Sequence, residues 1–311
     1  MANDSNALTA ARVNKKDEFY TDYNDICLEI PRYGDIWKDK IIYCNCDNRD
    51  SAFVRFFVSH FDILKLRAMV STGYRQNGHG DILLKGKDTL GFGLTENEGS
   101  YDDPDHLTLL DLCDIIVTNP PFSKFRDYLK TLVDHDKKFL IVGNVNAITN
   151  KDIFSLIRDN KLWFGATIHS GDREFRVPDD YPLNATGVRQ DDSGTKFIRV
   201  KGVRWFTNLQ HDYKPTLNLT KTLATADYQY YDNYDAINVN KVSEIPTDYN
   251  GKIGVPITYL DKHDPDIFDI LGLDVQMEDN PRPNKRFTVA GKETYARIII
   301  RRKRPSDSLN P

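Results

Sequence analysis

No apolar run in this chain approaches the roughly 20 residues needed to cross a bilayer. The first 20 residues are polar and lack the apolar core of a secretory signal. Cysteine is scarce: Cys27, Cys44, Cys46 and Cys113 are too few for a disulfide framework in 311 residues, so a reducing, cytoplasmic setting is expected. Cys44 and Cys46 stand as Cys-x-Cys with no second Cys/His pair at ligand spacing. That argues for two small buried hydrophobes on one strand face rather than zinc, and no metal is expected. Repeats, low-complexity tracts and an obvious linker are all missing. So is a large excess of one charge: the net value of −4 excludes a polycation and leaves nucleic-acid binding to local patches.

What is present is an alternation of strand-like and helical stretches. Ile41–Cys44 is an apolar run ending in the polar Asn45-Cys-Asp-Asn48. Residues 51–65 carry apolar positions at helical spacing, and 66–70 is the next strand, closed by Ser71-Thr-Gly-Tyr74. Residues 75–103 are rich in glycine and turn formers, with 81–85 a hairpin strand. A helix follows Pro104 through Leu112, then a strand at 115–117, a helix at 125–133, a strand at 139–142 and a helix at 151–160. This order predicts an α/β fold with a mainly parallel sheet, whose ligands collect at the carboxyl ends of the strands. Beyond about 165 short β-like runs dominate (197–200, 253–257, 296–300). The organisation expected is a leader over 1–16, a catalytic domain over 17–210 and a further region over 211–311.

The segment Asp114-Ile-Ile-Val-Thr-Asn-Pro-Pro-Phe122 carries chemistry. A strand ends at Thr118, and two prolines then fix φ and remove two backbone donors. The carbonyls of Asn119 and Pro120, with the Asn119 side chain, become rigid acceptors beside Pro121 and the aromatic face of Phe122. That set suits a planar base with an exocyclic amine. Two acceptors hold the N–H groups and draw the lone pair out of ring conjugation, so the amine can attack a methyl sulfonium without a metal. In a duplex the base must first be flipped into the pocket, where stacking is worth about 1–3 kcal/mol. Taken alone, Asn-Pro-Pro is also compatible with a plain turn.

The run Cys113 to Ser123 resembles motif IV of amino-methyltransferases. Further stretches resemble the EcoRI-type adenine-N6 DNA methyltransferases: Asp17-Glu-Phe-Tyr-Thr21, Tyr43-Cys-Asn-Cys-Asp47, Lys138 to Asn144 with Asn146-Ala-Ile-Thr149, Trp205-Phe-Thr-Asn208, Tyr231 to Val239 and Gly254-Val-Pro-Ile-Thr258. The resemblance runs from about residue 17 to 270. It implies a Rossmann-like class I sheet with helices on both faces, a gamma-like motif order, S-adenosylmethionine as cofactor and Asn119, Pro120, Pro121 and Phe122 as the catalytic loop. It also implies a cofactor pocket from Phe19, Tyr20, Thr21, Asn45, Cys46, Asp47, Thr72 and Tyr101. Two departures stand out. Ser71-Thr-Gly-Tyr74 has no carboxylate for the ribose hydroxyls. Gly99-Ser-Tyr101 stands where the family has Gly-Asp-Phe, so an acid is missing at Ser100, and Asp102 is the expected substitute.

The same resemblance puts target recognition near the C-terminus, with double-stranded DNA as partner. Between Arg282 and Arg304 nine Lys/Arg stand against one acid, Glu293. Lys285, Arg286, Arg301, Arg302 and Arg304, with Lys15 and Lys16, are the expected phosphate contacts; a solvated end is the other reading of this tail. The tyrosines 228, 230, 231 and 234 are read as core packing, with base stacking the alternative. A monomer is expected, whether solitary, phage-borne or paired with a cognate restriction endonuclease. Two alternatives stay open: methylation of another planar amine or amide, such as an RNA base or glutamine, and an inactive DNA-binding or decoy module.

Overall fold

A computed structural model describes residues 19–75, 78–183, 187–214 and 216–303. It divides into two compact units, the first comprising residues up to 147 together with 163–213, the second comprising 148–162 and 214 onward. Among the described residues no helix is long and apolar enough to cross a membrane.

The first unit is built on an eight-stranded mixed sheet. Its strands are β1 (Ile41–Cys44), β2 (Ala68–Gly73), β3 (Asp81–Lys85), β4 (Leu90–Leu94), β5 (Ile115–Thr118), β6 (Lys138–Asn144), β7 (Trp163–Phe164) and β11 (Val203–Thr207), in the order β4-β3-β2-β1-β5-β6-β11-β7. The four central strands β2, β1, β5 and β6 are parallel. They are nearly continuous apolar runs, as strands buried on both faces must be. Both flanks are antiparallel. The expectation of a mainly parallel sheet therefore holds for the centre and not for the edges; on the β2 side the reason is that β2, β3 and β4 are joined by connections too short for a crossover. A separate three-stranded sheet is formed by β8 (Asp172–Arg176), β9 (Val188–Gln190) and β10 (Lys196–Lys201).

The helices of this unit are α1 (Tyr23–Glu29), α2 (Ala52–Ser59), α3 (Pro104–Leu112) and α4 (Phe125–Asp134). Ser51 caps α2 through its hydroxyl, which accepts from Val54 N, and Asp22 caps α1 through its carboxylate, which accepts from Asn24 N. The helix expected over 51–65 stops at Ser59 and continues as turns. Phe53, Phe57, Trp37, Trp205 and Phe175 are among the fully buried side chains of the core. The buried Glu29 carboxylate accepts from Tyr33 Oη (2.6 Å), Ala166 N and Thr167 N (2.8 Å each), tying α1 to the segment after β7.

The second unit contains α5 (Lys151–Arg158) and a five-stranded sheet of order β12-β13-β14-β18-β15. These strands are β12 (Gln229–Tyr231), β13 (Tyr234–Asn238), β14 (Lys252–Pro256), β15 (Phe268–Leu273) and β18 (Arg297–Arg302). A small hairpin joins β16 (Thr288–Val289) to β17 (Lys292–Glu293). Tyr231 and Tyr234 are buried here around Phe287, Tyr234 stacked on it at 4.1 Å between centroids. The core reading of the tyrosines thus fits these two. Tyr228 is half-buried and donates to the Glu244 carbonyl (2.7 Å), while Tyr230 is exposed.

Candidate active site

A cavity of about 670 Å³ opens at the carboxyl ends of the central strands of the first unit. Four stretches form its walls: residues 19–21, the 45–48 loop after β1 with 51–53 at the start of α2, Tyr74 with 98–101, and the loop after β5. Strand ends in open α/β sheets leave such a crevice because their connections diverge there.

The loop after β5 contributes Asn119, Pro121, Ser123 and Lys124 to the wall. Asn119 Nδ2 donates to the Phe19 carbonyl at 2.6 Å, while Asn119 Oδ1 is buried without a hydrogen-bond partner. A buried polar atom left in this state costs on the order of 1–3 kcal/mol, so a cavity wall that holds one is a wall suited to a donor. Pro120 is buried beneath the loop. Phe122 begins a single 3-10 turn, Phe122–Lys124, and its ring packs edge-on to Phe19 (5.3 Å) and Phe175 (6.3 Å). It is not among the cavity-lining residues.

The opposite wall is acidic and well ordered by its own hydrogen bonds. Asp47 is buried; its N–H donates to Thr72 O (3.0 Å) and its carboxylate accepts from Thr118 Oγ1 (2.5 Å). Burial pushes the Asp47 carboxyl up to about 7, against the opposing hydrogen bonds from Thr118 and Ser51. Asn45 accepts from Tyr128 Oη, and Tyr101 stands edge-on to Tyr128 at 4.9 Å. Burial raises the Cys46 thiol, so it sits on the wall as a neutral group. Thr21 is buried with its hydroxyl unpartnered, and Tyr20 is bridged to Arg176 through its backbone N–H (3.0 Å).

Phe19, Tyr20, Thr21, Asn45, Cys46, Asp47 and Tyr101 therefore converge on one cavity, as do Asn119 and Pro121. Two of the expected cofactor residues stand elsewhere. Thr72 is fully buried and its hydroxyl is shared with Tyr43 Oη at 2.9 Å, so it shapes the strand end from behind. Asp102 does not line the cavity; it accepts from the Ser100 hydroxyl. Glu98, which sequence reasoning passed over, does line it. Its signal was present: it directly precedes the Gly99-Ser-Tyr101 stretch that departs from the family pattern.

Of the expected phosphate contacts, Lys285 and Arg301 are exposed on the second unit. Arg286 is instead paired with Asp274 at 2.6 Å, and Arg302 lies over the Phe268 ring at 4.8 Å. Arg297, counted in the basic tail, is buried and bonds Asn238 and Asn240. Lys15, Lys16 and Arg304 fall outside the described residues, as does the 1–16 leader.

The profile of the family described as adenine-specific methyltransferase EcoRI matches residues 7–303. The Type II methyltransferase M.EcoRI of Escherichia coli is 39% identical over 319 residues, covering 96% of each chain. The Type II methyltransferases M.MpnI of Mycoplasma pneumoniae and M.MgeORF184P of Mycoplasma genitalium are 34% and 32% identical; each alignment covers 94% of this chain and 97% of the relative. No solved structure matches.

Proposed function

Since the chain belongs to the adenine-specific methyltransferase EcoRI family, we propose that it transfers a methyl group from S-adenosylmethionine to N6 of an adenine flipped out of duplex DNA. The observation that carries this reading is the buried, unpartnered Asn119 Oδ1 on the cavity wall, held by the bond from its own amide to the Phe19 carbonyl.

The cavity fits the cofactor on chemical grounds. Among the described residues its lining includes the carboxylates Asp47 and Glu98 against one cation, Lys124, which favours a ligand carrying positive charge. The unpartnered Thr21 hydroxyl and the Asn45–Asp47 loop are placed to hold its polar end. When bound, S-adenosylmethionine supplies a methyl group on a positively charged sulfur. Asn119 does the rest of the chemical work: its carbonyl oxygen accepts an amine N–H of the base, with the rigid backbone carbonyls of the Asn-Pro-Pro loop as second acceptor. Both acceptors favour the pyramidal amine over the conjugated one, and so act more strongly as the new bond forms. Phe19 and Phe122, packed edge to face, keep the loop from shifting.

Lys285 and Arg301 are the phosphate contacts we favour on the second unit. A DNA substrate implies a cytoplasmic enzyme, and the relatives' Type II names suggest pairing with a cognate restriction endonuclease. The test is direct. The protein is incubated with methyl-labelled cofactor and unmethylated genomic DNA, and the digest is expected to carry label in N6-methyladenine. Label in cytosine, in RNA only or nowhere would overturn the reading.

A further inference from the structure

Where a sheet of this kind binds an adenosyl ligand, an acid at the end of the second strand characteristically takes the ribose hydroxyls. Here β2 ends in Ser71-Thr-Gly73 and is followed by Tyr74, with no acid, and the Thr72 hydroxyl is already shared with Tyr43. Another part of the chain brings a carboxylate to this place. The segment that follows β4 returns beside the end of β2, where Arg75 N donates to Glu98 O and Gly80 N donates to Asn97 O, both at 2.8 Å.

Three glycines allow that approach. Gly99 has φ +82°, and a Cβ on it would stand 2.5 Å from Gly73 O. A Cβ on Gly80 would meet the same carbonyl at 2.6 Å, and one on Gly73 would meet Asn48 Cα at 2.6 Å. The end of β2, the 45–48 loop and the 97–99 segment are thus in backbone contact, and Glu98 is carried onto the cavity wall next to Tyr74. Among the described residues the other carboxylate on that wall is Asp47, which is held at the end of β1 by Thr118. Asp102 is not on the cavity wall and accepts from the Ser100 hydroxyl.

We propose that Glu98 binds the ribose diol of the cofactor, supplying from the segment after β4 the carboxylate that β2 lacks. The inference rests on the reading that the cavity takes S-adenosylmethionine. A carboxylate accepting from two adjacent hydroxyls makes charge-assisted bonds, and the isosteric amide removes the charge and one of the two acceptor oxygens.

Calorimetric titration of the full chain with S-adenosylhomocysteine separates the outcomes without any catalytic turnover. Glu98→Gln is expected to weaken binding at least tenfold, while Asp102→Asn binds as the wild type does. The 2′-deoxy analogue is expected to lose a similar factor on the wild type and little more on Glu98→Gln. Wild-type affinity in Glu98→Gln, or an equal loss for the deoxy analogue on both proteins, would overturn the assignment while leaving the function standing. A wild-type chain that binds neither ligand would overturn the function and this inference with it.

Discussion

Asn119 donates its side-chain amide to the Phe19 carbonyl at 2.6 Å, joining the loop after β5 to a segment one hundred residues earlier. The bond fixes which end of the amide faces that carbonyl, so the buried oxygen is the end left without a partner and is the acceptor proposed for the substrate. Asn119→Ala removes the acceptor and the anchor together. Methyl transfer in single-turnover assays is expected to fall by at least about 10²–10³-fold, the scale of losing one preorganised hydrogen-bonding group. DNA affinity in a gel-shift titration is expected to stay near wild type, because the proposed phosphate contacts are other residues. A variant that keeps its transfer rate would show that the acceptor is not Asn119.

Asp47 makes the same cavity sensitive to pH. Its carboxyl is raised to about 7 by burial, from 3.8 when free. The sign follows from which state holds the proton. Between these values the folded, ligand-free protein binds the proton that the unfolded chain releases, so this group's stabilisation is lost as pH rises toward 7. A ligand ammonium at Asp47 favours the ionised form and expels the proton. Affinity for S-adenosylhomocysteine is therefore expected to rise from pH 5 to 7, by up to about tenfold per unit, and to level off above. Titrations at pH 6 in buffers of different ionisation enthalpy should give different apparent heats for the wild type and the same heat for Asp47→Asn. Equal heats for the wild type would place the ammonium away from Asp47.

The parts of this site legible in the sequence are those made by local chemistry. β1, β5 and β6 are apolar runs with polar ends, and the turn after β5 is dictated by two prolines. Helix α3 runs Pro104–Leu112, as Pro104 at its first position suggested. What was not legible depends on partners distant in sequence. β4 reads as a loop because Gly91 and Gly93 interrupt it; pairing with β3 makes it a strand. Glu98 reaches the cavity through backbone contacts among three glycine-bearing segments, which no local pattern encodes. Phe122 reads as a free aromatic face, yet Phe19 and Phe175 claim its ring. The basic tail was legible as a count of charges; which of them are spent inside the fold was not.

Arg286 and Lys285, adjacent in sequence, separate those two uses of charge. Arg286 pairs at 2.6 Å with Asp274, whose side chain is fully buried and whose second oxygen has no hydrogen-bond partner. Burial pushes the Asp274 carboxyl up, and the guanidinium opposes this. Removing one partner of such a pair strands the other, at a cost of about 3–5 kcal/mol for a buried ion pair and toward the lower end here, since Arg286 is 28% exposed. Arg286→Ala is therefore expected to lower the melting temperature by several degrees. Lys285 is exposed, so Lys285→Ala should leave melting unchanged and flatten the slope of log K against log salt for DNA binding by about one. Melting curves and salt titrations of the two variants check this pair. A stable Arg286→Ala with a flattened salt slope would return that arginine to the DNA surface, because a side chain whose loss the fold does not register is free to act outward.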